Sequence, residues 1–310
     1  MRILITGSRG FIGGSVGRHA AHAGHAVLGV GRATQAEVSW PGDYVSADIV
    51  SSDLSGIITE FAPDVILHAA GTACVAASLA APLDDLRAAL LTWANTLESV
   101  RRSDRRPLLL YVSSAAVYGN LARLPAREDA PALPISPYGF HKAACELLAR
   151  EYAECFNLRV VVCRLFSIFG AAQRRLLVWE LYRQFASAAA PVVWLQGTGA
   201  ETRDYLHIDD VANALLDLAS ARMNETGTER CHVVNVASGA ETSVLELARR
   251  IGELVAPEKE INCRGLELPG DPRAWRADIS QLRALAPNWQ PQPLSQSLVR
   301  CITEWQTESR

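Results

Sequence analysis

Arg2-Ile3-Leu4-Ile5-Thr6-Gly7-Ser8-Arg9-Gly10-Phe11-Ile12-Gly13 is the stretch that decides the fold. Its first five residues form a short apolar run of the kind found in parallel strands buried on both faces. Glycines at positions 7, 10 and 13 follow at once, and an Ala-rich amphipathic stretch, Gly13–Ala23, comes next. Glycine allows the tight turn and lets backbone N–H groups reach a pyrophosphate at a helix N-terminus. The spacing is G-x-x-G-x-x-G, a variant of the dinucleotide fingerprint with the same physics. Gly7, Arg9, Gly10, Phe11, Ile12 and Gly13 are therefore expected to cradle a dinucleotide.

The pattern continues outward. Ala26–Val30, Val65–Ala69, Leu108–Ser113 and Arg159–Leu165 read as further strands, with a shorter one in Val45–Ile49. Helices are expected at Asp53–Phe61, Leu83–Arg101 and Pro137–Phe156. Strand alternating with helix gives the fold class α/β, a Rossmann-type doubly wound parallel sheet. Beyond residue 167, prolines from Pro191 to Pro293 break the alternation, which predicts a smaller C-terminal substrate-binding domain. The expected division is 1–166 for the dinucleotide domain, with a segment near 205–237 returning to it, and 167–204 plus 238–310 for the substrate part.

Composition narrows the function classes. The chain has 310 residues, 49% hydrophobic, enough for a large core. A net charge of −3 gives no sign of a nucleic-acid or membrane partner. No apolar run approaches the roughly 20 residues that span a bilayer. Met1-Arg2 leads directly into the first strand, so no signal peptide is expected. The seven cysteines are widely spaced without C-x-x-C. That predicts small hydrophobes, not nucleophiles, in a reducing cytoplasm, with neither disulfide nor structural zinc.

The second strand ends in Val30-Gly31-Arg32, where an NAD site usually has an acid for the ribose 2′-hydroxyl. The Arg32 guanidinium, with Arg9 nearby, suits a 2′-phosphate and favours NADP(H) over NAD. Both arginines also fit as solvated surface charges. Asp48, followed by Ile49, can accept from the adenine amino group or cap the next helix.

Ser136-Pro137-Tyr138-Gly139-Phe140-His141-Lys142 reads as a helix start, with Ser136 as N-cap and Pro137 as first residue. Tyr138 and Lys142 then share a helix face. A lysine ammonium beside a phenol is expected to draw its pKa toward neutrality, so that the phenol exchanges a proton with a sugar oxygen. Lys142 can also hold the nicotinamide ribose. Ser113 and Ser114 end a strand at the carboxyl edge of the sheet, where such folds bind ligands. Ser114 can donate to the same substrate oxygen, or simply satisfy backbone groups. His68-Ala69-Ala70-Gly71 ends another strand at that edge, so Ala69, Ala70 and Gly71 are expected to line the cofactor. His68 reads as a packed core histidine, and His141 receives no role.

Together these segments resemble the extended short-chain dehydrogenase/reductase family, in its branch of nucleotide-sugar epimerases, dehydratases and 4-keto reductases. The matches are Thr6–Gly13, His68–Gly71, Ser113–Gly119, Ser136–Lys142, Arg164–Gly170, Arg203–Ala212 and Pro269–Asp271. The resemblance implies Ser114, Tyr138 and Lys142 as the catalytic set and a nucleotide-diphosphate sugar as substrate. Arg203 is implied as a diphosphate clamp, against the alternative of an ion pair with Asp204 or Asp209, and Asp271 joins the substrate set. Trp194 and Gln196 are expected near the nucleotide pocket. A homodimer through Leu83–Arg101 and Pro137–Phe156 is also implied. The chain departs from the family at Ala115 and Ala116, where dehydratases carry acids, and at Ser167 and Phe169, where Asn and Tyr are usual. Leu268 stands in place of a second diphosphate arginine, for which Arg273 or Arg276 can substitute. With NADP favoured, the expected reaction is reduction of a 4-keto(-6-deoxy) sugar nucleotide at C4. The alternatives are a 4-epimerase with tightly bound NAD(P) and a non-catalytic dinucleotide-binding regulator.

Overall fold

Strands that are apolar along their whole length need cover on both faces, and the segments between them supply it as helices. The computed structural model describes residues 1–35, 39–189, 191–223, 229–267 and 269–308, so Leu268 lies outside the described residues. The first half runs β1 (Arg2–Thr6), α1 (Phe11–His22), β2 (Ala26–Gly31), β3 (Asp43–Ser46), α2 (Ser55–Phe61), β4 (Val65–His68), α3 (Val75–Ala80), α4 (Pro82–Leu86), α5 (Thr92–Arg102), β5 (Leu108–Ser114), α6 (Pro137–Phe156) and β6 (Arg159–Leu165). The second half continues with β7 (Ser167–Phe169), α7 (Leu176–Ala186), β8 (Val192–Leu195), β9 (Thr202–Arg203), β10 (Tyr205–His207), α8 (Ile208–Met223), β11 (Cys231–Val236), β12 (Thr242–Ser243), α9 (Val244–Val255), β13 (Glu260–Cys263), α10 (Ser280–Leu285) and α11 (Leu294–Glu308).

The central sheet has the order β11-β6-β5-β4-β1-β2-β3, with every pairing parallel. This is a doubly wound Rossmann-type sheet, and the late strand β11 returns to pair with β6. One face packs on Val16 and Ala20 of α1 and on Val211, Leu215 and Leu218 of α8. The other face packs on Ile58 of α2, Trp93 and Leu97 of α5, and Cys145 and Ala149 of α6. A separate core joins α7, β8, α9 and α11 through Phe185, Val193, Leu247 and Trp305. The chain does not divide cleanly between the two: Ala277, Ile279, Leu282 and Trp289 lie in the core of the large sheet.

The Leu83–Arg101 stretch differs from a single regular helix. A π turn at Arg87–Leu91 separates α4 from α5. There the Thr92 hydroxyl donates back to the carbonyls of Ala88 (2.7 Å) and Ala89 (3.2 Å), a bond that distorts the regular ladder. Helix α6 begins as its residues dictate: Ser136 accepts from Gly139 N, Pro137 is the first residue, and Asn157 closes the far end in the left-handed region. Among the described residues no helix is long and apolar enough to cross a membrane.

Candidate active site

The glycine loop fits a dinucleotide. Gly7 has φ +71°, and a Cβ there would stand 2.7 Å from Ala70 N, so the loop and the end of β4 pack backbone on backbone. A Cβ at Gly13 would stand 2.5 Å from Gly7 O. Helix α1 begins at Gly10 with no side-chain cap and no acid in its first turn. Its leading N–H groups therefore remain available to an anion. Arg9 and Arg32 are both exposed at this edge. Gly31 ends β2 against the Tyr44 hydroxyl, where an acid is absent. Asp48 is exposed, and its Oδ1 accepts from Val50 N at 3.1 Å, so it holds its own turn and does not cap α2. Ile49 is buried in the core. Ala69 N donates to Thr6 O, and Gly71, at φ +127°, faces the π turn.

Tyr138 and Lys142 lie on α6 beside the carboxyl end of β5. Lys142 Nζ donates to Val112 O at 2.8 Å and stands 5.8 Å from the centre of the Tyr138 ring. Both residues are buried. Burial pushes the Tyr138 phenol up to about 12, with Asp85 adding to the rise and the Ser114 hydrogen bond and Arg175 opposing it. Burial thus works against the expected fall toward neutrality. Lys142 is itself lowered by burial, and its ammonium donates to a carbonyl. Ser114 has a double use: its Oγ accepts from Ala116 N at 3.1 Å, and it hydrogen-bonds toward the phenol.

His68 is a core histidine, as the sequence suggests. Its Nδ1 lies 2.9 Å from Thr6 Oγ1 and 3.1 Å from Thr96 Oγ1, and burial lowers its pKa to about 3. Two supports of the site escaped the sequence reading. Ser113 donates to Glu146 at 2.5 Å, and Arg164 pairs with the same carboxylate at 2.7 Å, locking α6 to β5 and β6. Asp85 meets His141 at 2.6 Å, so His141 has a partner after all. Nothing in the sequence marked Asp85, because acids are ordinary in a helix's first turn.

The substrate-side residues are more dispersed. Arg203 pairs with Asp271 at 2.5 Å and stacks over Trp275, not with Asp204 or Asp209. Asp204 instead accepts from Ser238, Gly239 and Ala277, while Asp209 pairs with Arg300. Ser167 is half-buried on β7, opposite Tyr205. Trp194 and Gln196 point outward from the β8 segment, and Arg264 covers the Trp194 ring. Arg273 is engaged by Glu267, and Arg276 is half-buried.

Residues 3–237 match the family model described as the NAD dependent epimerase/dehydratase family. The chain is 31% identical to a UDP-glucose 4-epimerase of Mycolicibacterium smegmatis over all of both chains. It is 29% identical to a GDP-6-deoxy-D-mannose reductase of Pseudomonas aeruginosa, over 100% of this chain and 98% of that one. Among solved structures, MoeE5 in complex with UDP-glucuronic acid and NAD superposes with a TM-score of 0.86 at 26% identity, over all of both chains. The chain belongs to the NAD dependent epimerase/dehydratase family, and it is an NAD(P)-dependent oxidoreductase or epimerase.

Proposed function

We propose that this protein is a 4-epimerase of a UDP-linked hexose or hexuronic acid, working with a retained dinucleotide and the Ser114, Tyr138 and Lys142 set. The observation that carries this reading is the end-to-end similarity to a UDP-glucose 4-epimerase, together with this triad at the sheet's carboxyl edge. Ala115 and Ala116 stand where a dehydratase needs acids, so elimination of water has no proton donor there. Gly7, Gly10 and Gly13 would hold the pyrophosphate, Lys142 the nicotinamide ribose, and Ala69–Gly71 the ring side. When bound, the dinucleotide supplies the hydride acceptor and donor for C4. With the positive charge of an oxidised dinucleotide beside it, Tyr138 would ionise, take the proton of the C4 hydroxyl as the hydride leaves, and return it to the keto oxygen after the sugar turns over. Ser114 keeps that oxygen placed in both halves, and no external oxidant is consumed. Arg203 holds the diphosphate.

A second reading is the NADPH-dependent reduction of a 4-keto sugar nucleotide. Arg9 and Arg32 at the edge of a strand that ends without an acid favour it, and so does the reductase relative. Incubation with UDP-glucose or UDP-glucuronate, followed by proton NMR, separates the two. Epimerisation gives both C4 epimers with no added dinucleotide. Stoichiometric NADPH oxidation with a 4-keto-6-deoxy sugar nucleotide, without epimers, would establish the reductase instead.

A second copy of the chain would cover the apolar residues exposed on neighbouring α4 and α6 and the π turn between: Leu83, Leu91, Phe140 and Leu147. Sedimentation of Leu147→Glu against wild type tests this; an unchanged mass removes this face from any dimer.

A further inference from the structure

Strand β2 carries two glycines on one face, Gly29 and Gly31. In the pairing with β3, Gly29 stands opposite Tyr44. The tyrosine runs along that face toward the end of the strand: a Cβ at Gly31 would stand 3.1 Å from its hydroxyl and 3.9 Å from its ring. A side chain at position 31 would therefore press Tyr44 aside. The same hydroxyl donates to Ala33 O at 3.1 Å. On the other side of Arg32, Gly31 O accepts from Ala47 N at 2.8 Å. Both residues flanking Arg32 are thus tied by their carbonyls to β3 and the segment after it, while the Arg32 side chain is exposed. In a Rossmann site that takes NAD, an acid at the end of the second strand meets the ribose 2′-hydroxyl. Here that place holds the Tyr44 hydroxyl, whose one hydrogen is given to Ala33.

We propose that Tyr44 is a specificity-determining residue of the dinucleotide site: its hydroxyl closes the end of β2 to an acid side chain and pins the turn that presents Arg32, so that the site takes a dinucleotide bearing a ribose 2′-phosphate. This deepens the cofactor side of the readings above and rests on the glycine loop as the dinucleotide's cradle. It does not depend on which C4 reaction follows. The two effects act in one sense. Excluding a carboxylate removes a like charge that a phosphate would have to face. A guanidinium matches phosphate oxygens, but its long side chain loses rotamer freedom when it binds. Fixing the backbone from which it springs lowers that cost.

The experiment dialyses purified protein to equilibrium against an equimolar mixture of NADH and NADPH, with no sugar nucleotide present. The bound dinucleotides are then released and quantified by chromatography. Wild type should hold NADPH in excess. Tyr44→Phe keeps the ring and loses the hydroxyl, and should shift the bound ratio toward NADH by about two- to ten-fold, the worth of one hydrogen bond. Gly31→Ala should shift it in the same direction, because its methyl displaces the hydroxyl. The double variant should shift it no further than the larger single one, since both act through one contact. An unchanged ratio in Tyr44→Phe, additive shifts in the double variant, or an excess of NADH on wild type would each overturn the proposal. Binding of neither dinucleotide by wild type would overturn the cradle and the proposal together. No turnover is read, so failure of the C4 assignment leaves the result intact.

Discussion

The Arg203 guanidinium holds the Asp271 carboxylate at 2.5 Å, and the side chain is almost closed to solvent on the arginine side while the aspartate remains accessible. A substrate diphosphate that takes Arg203 has to displace this carboxylate. Arg203→Ala should weaken UDP-sugar binding by about ten- to a hundred-fold, the worth of a charge-assisted hydrogen bond, and leave dinucleotide affinity unchanged. Asp271→Asn should tighten UDP-sugar binding, since the competing charge is gone. Calorimetric titration of both ligands checks the pair; equal losses for both ligands in Arg203→Ala would make the residue a structural one.

Tyr138→Phe removes one oxygen from a buried ring and leaves its packing intact. The fold and dinucleotide binding should survive, while the chemical step slows by about 10²–10⁴. Ser114→Ala should be milder, because it removes a hydrogen bond and not the proton carrier. Single-turnover rates of C4 hydride transfer measure both. A near wild-type rate in Tyr138→Phe would eliminate the proposed mechanism.

Arg32 follows a strand that ends in Gly31 with no acid, and its side chain is exposed. Arg32→Ala should cost NADP(H) about ten-fold or more in affinity and NAD(H) little. Fluorescence titration of reduced cofactors reads this directly. Parallel losses for both, or none for either, would mean that Arg32 does not contact the 2′ position.

His68 makes stability depend on acidity. Its folded pKa is lowered to about 3 by burial, then by the Lys142 charge, from the ordinary histidine value of 6.5. Below about pH 6.5 the unfolded chain takes up a proton that the folded one refuses, so stability falls as pH falls toward 3. At pH 5 the loss is on the order of 2 kcal/mol. His207, also lowered by burial, adds in the same sense. Thermal melts of His68→Gln between pH 7 and 5 should show a flatter pH dependence than wild type, whatever the offset in absolute stability. An equal slope would mean that His68 takes up its proton in the folded state.

Much of the fold was legible along the chain because its cause is local. Residues 2–6 and 159–165 appear as strands at the expected positions, since an unbroken apolar run has few other solutions in water. Helix α6 begins and ends where Ser136, Pro137 and Asn157 place its caps. The π turn at Arg87–Leu91 was not legible. It follows from a hydroxyl bonding back onto the carbonyls of its own helix, a detail that apolar periodicity does not carry.

The residue order by itself determined the alternation of strand and helix, the glycine turn, and the Tyr138–Lys142 spacing, because each depends on neighbours within a turn or two. Only the tertiary structure decided the state and company of the site. It buried Tyr138 so that desolvation raises its phenol, turned Arg203 onto Asp271, and brought Thr72, Asp85 and His141 together. Ionisation and pairing depend on which groups lose water together, and segments far apart in the chain do so only once the sheet has closed around them.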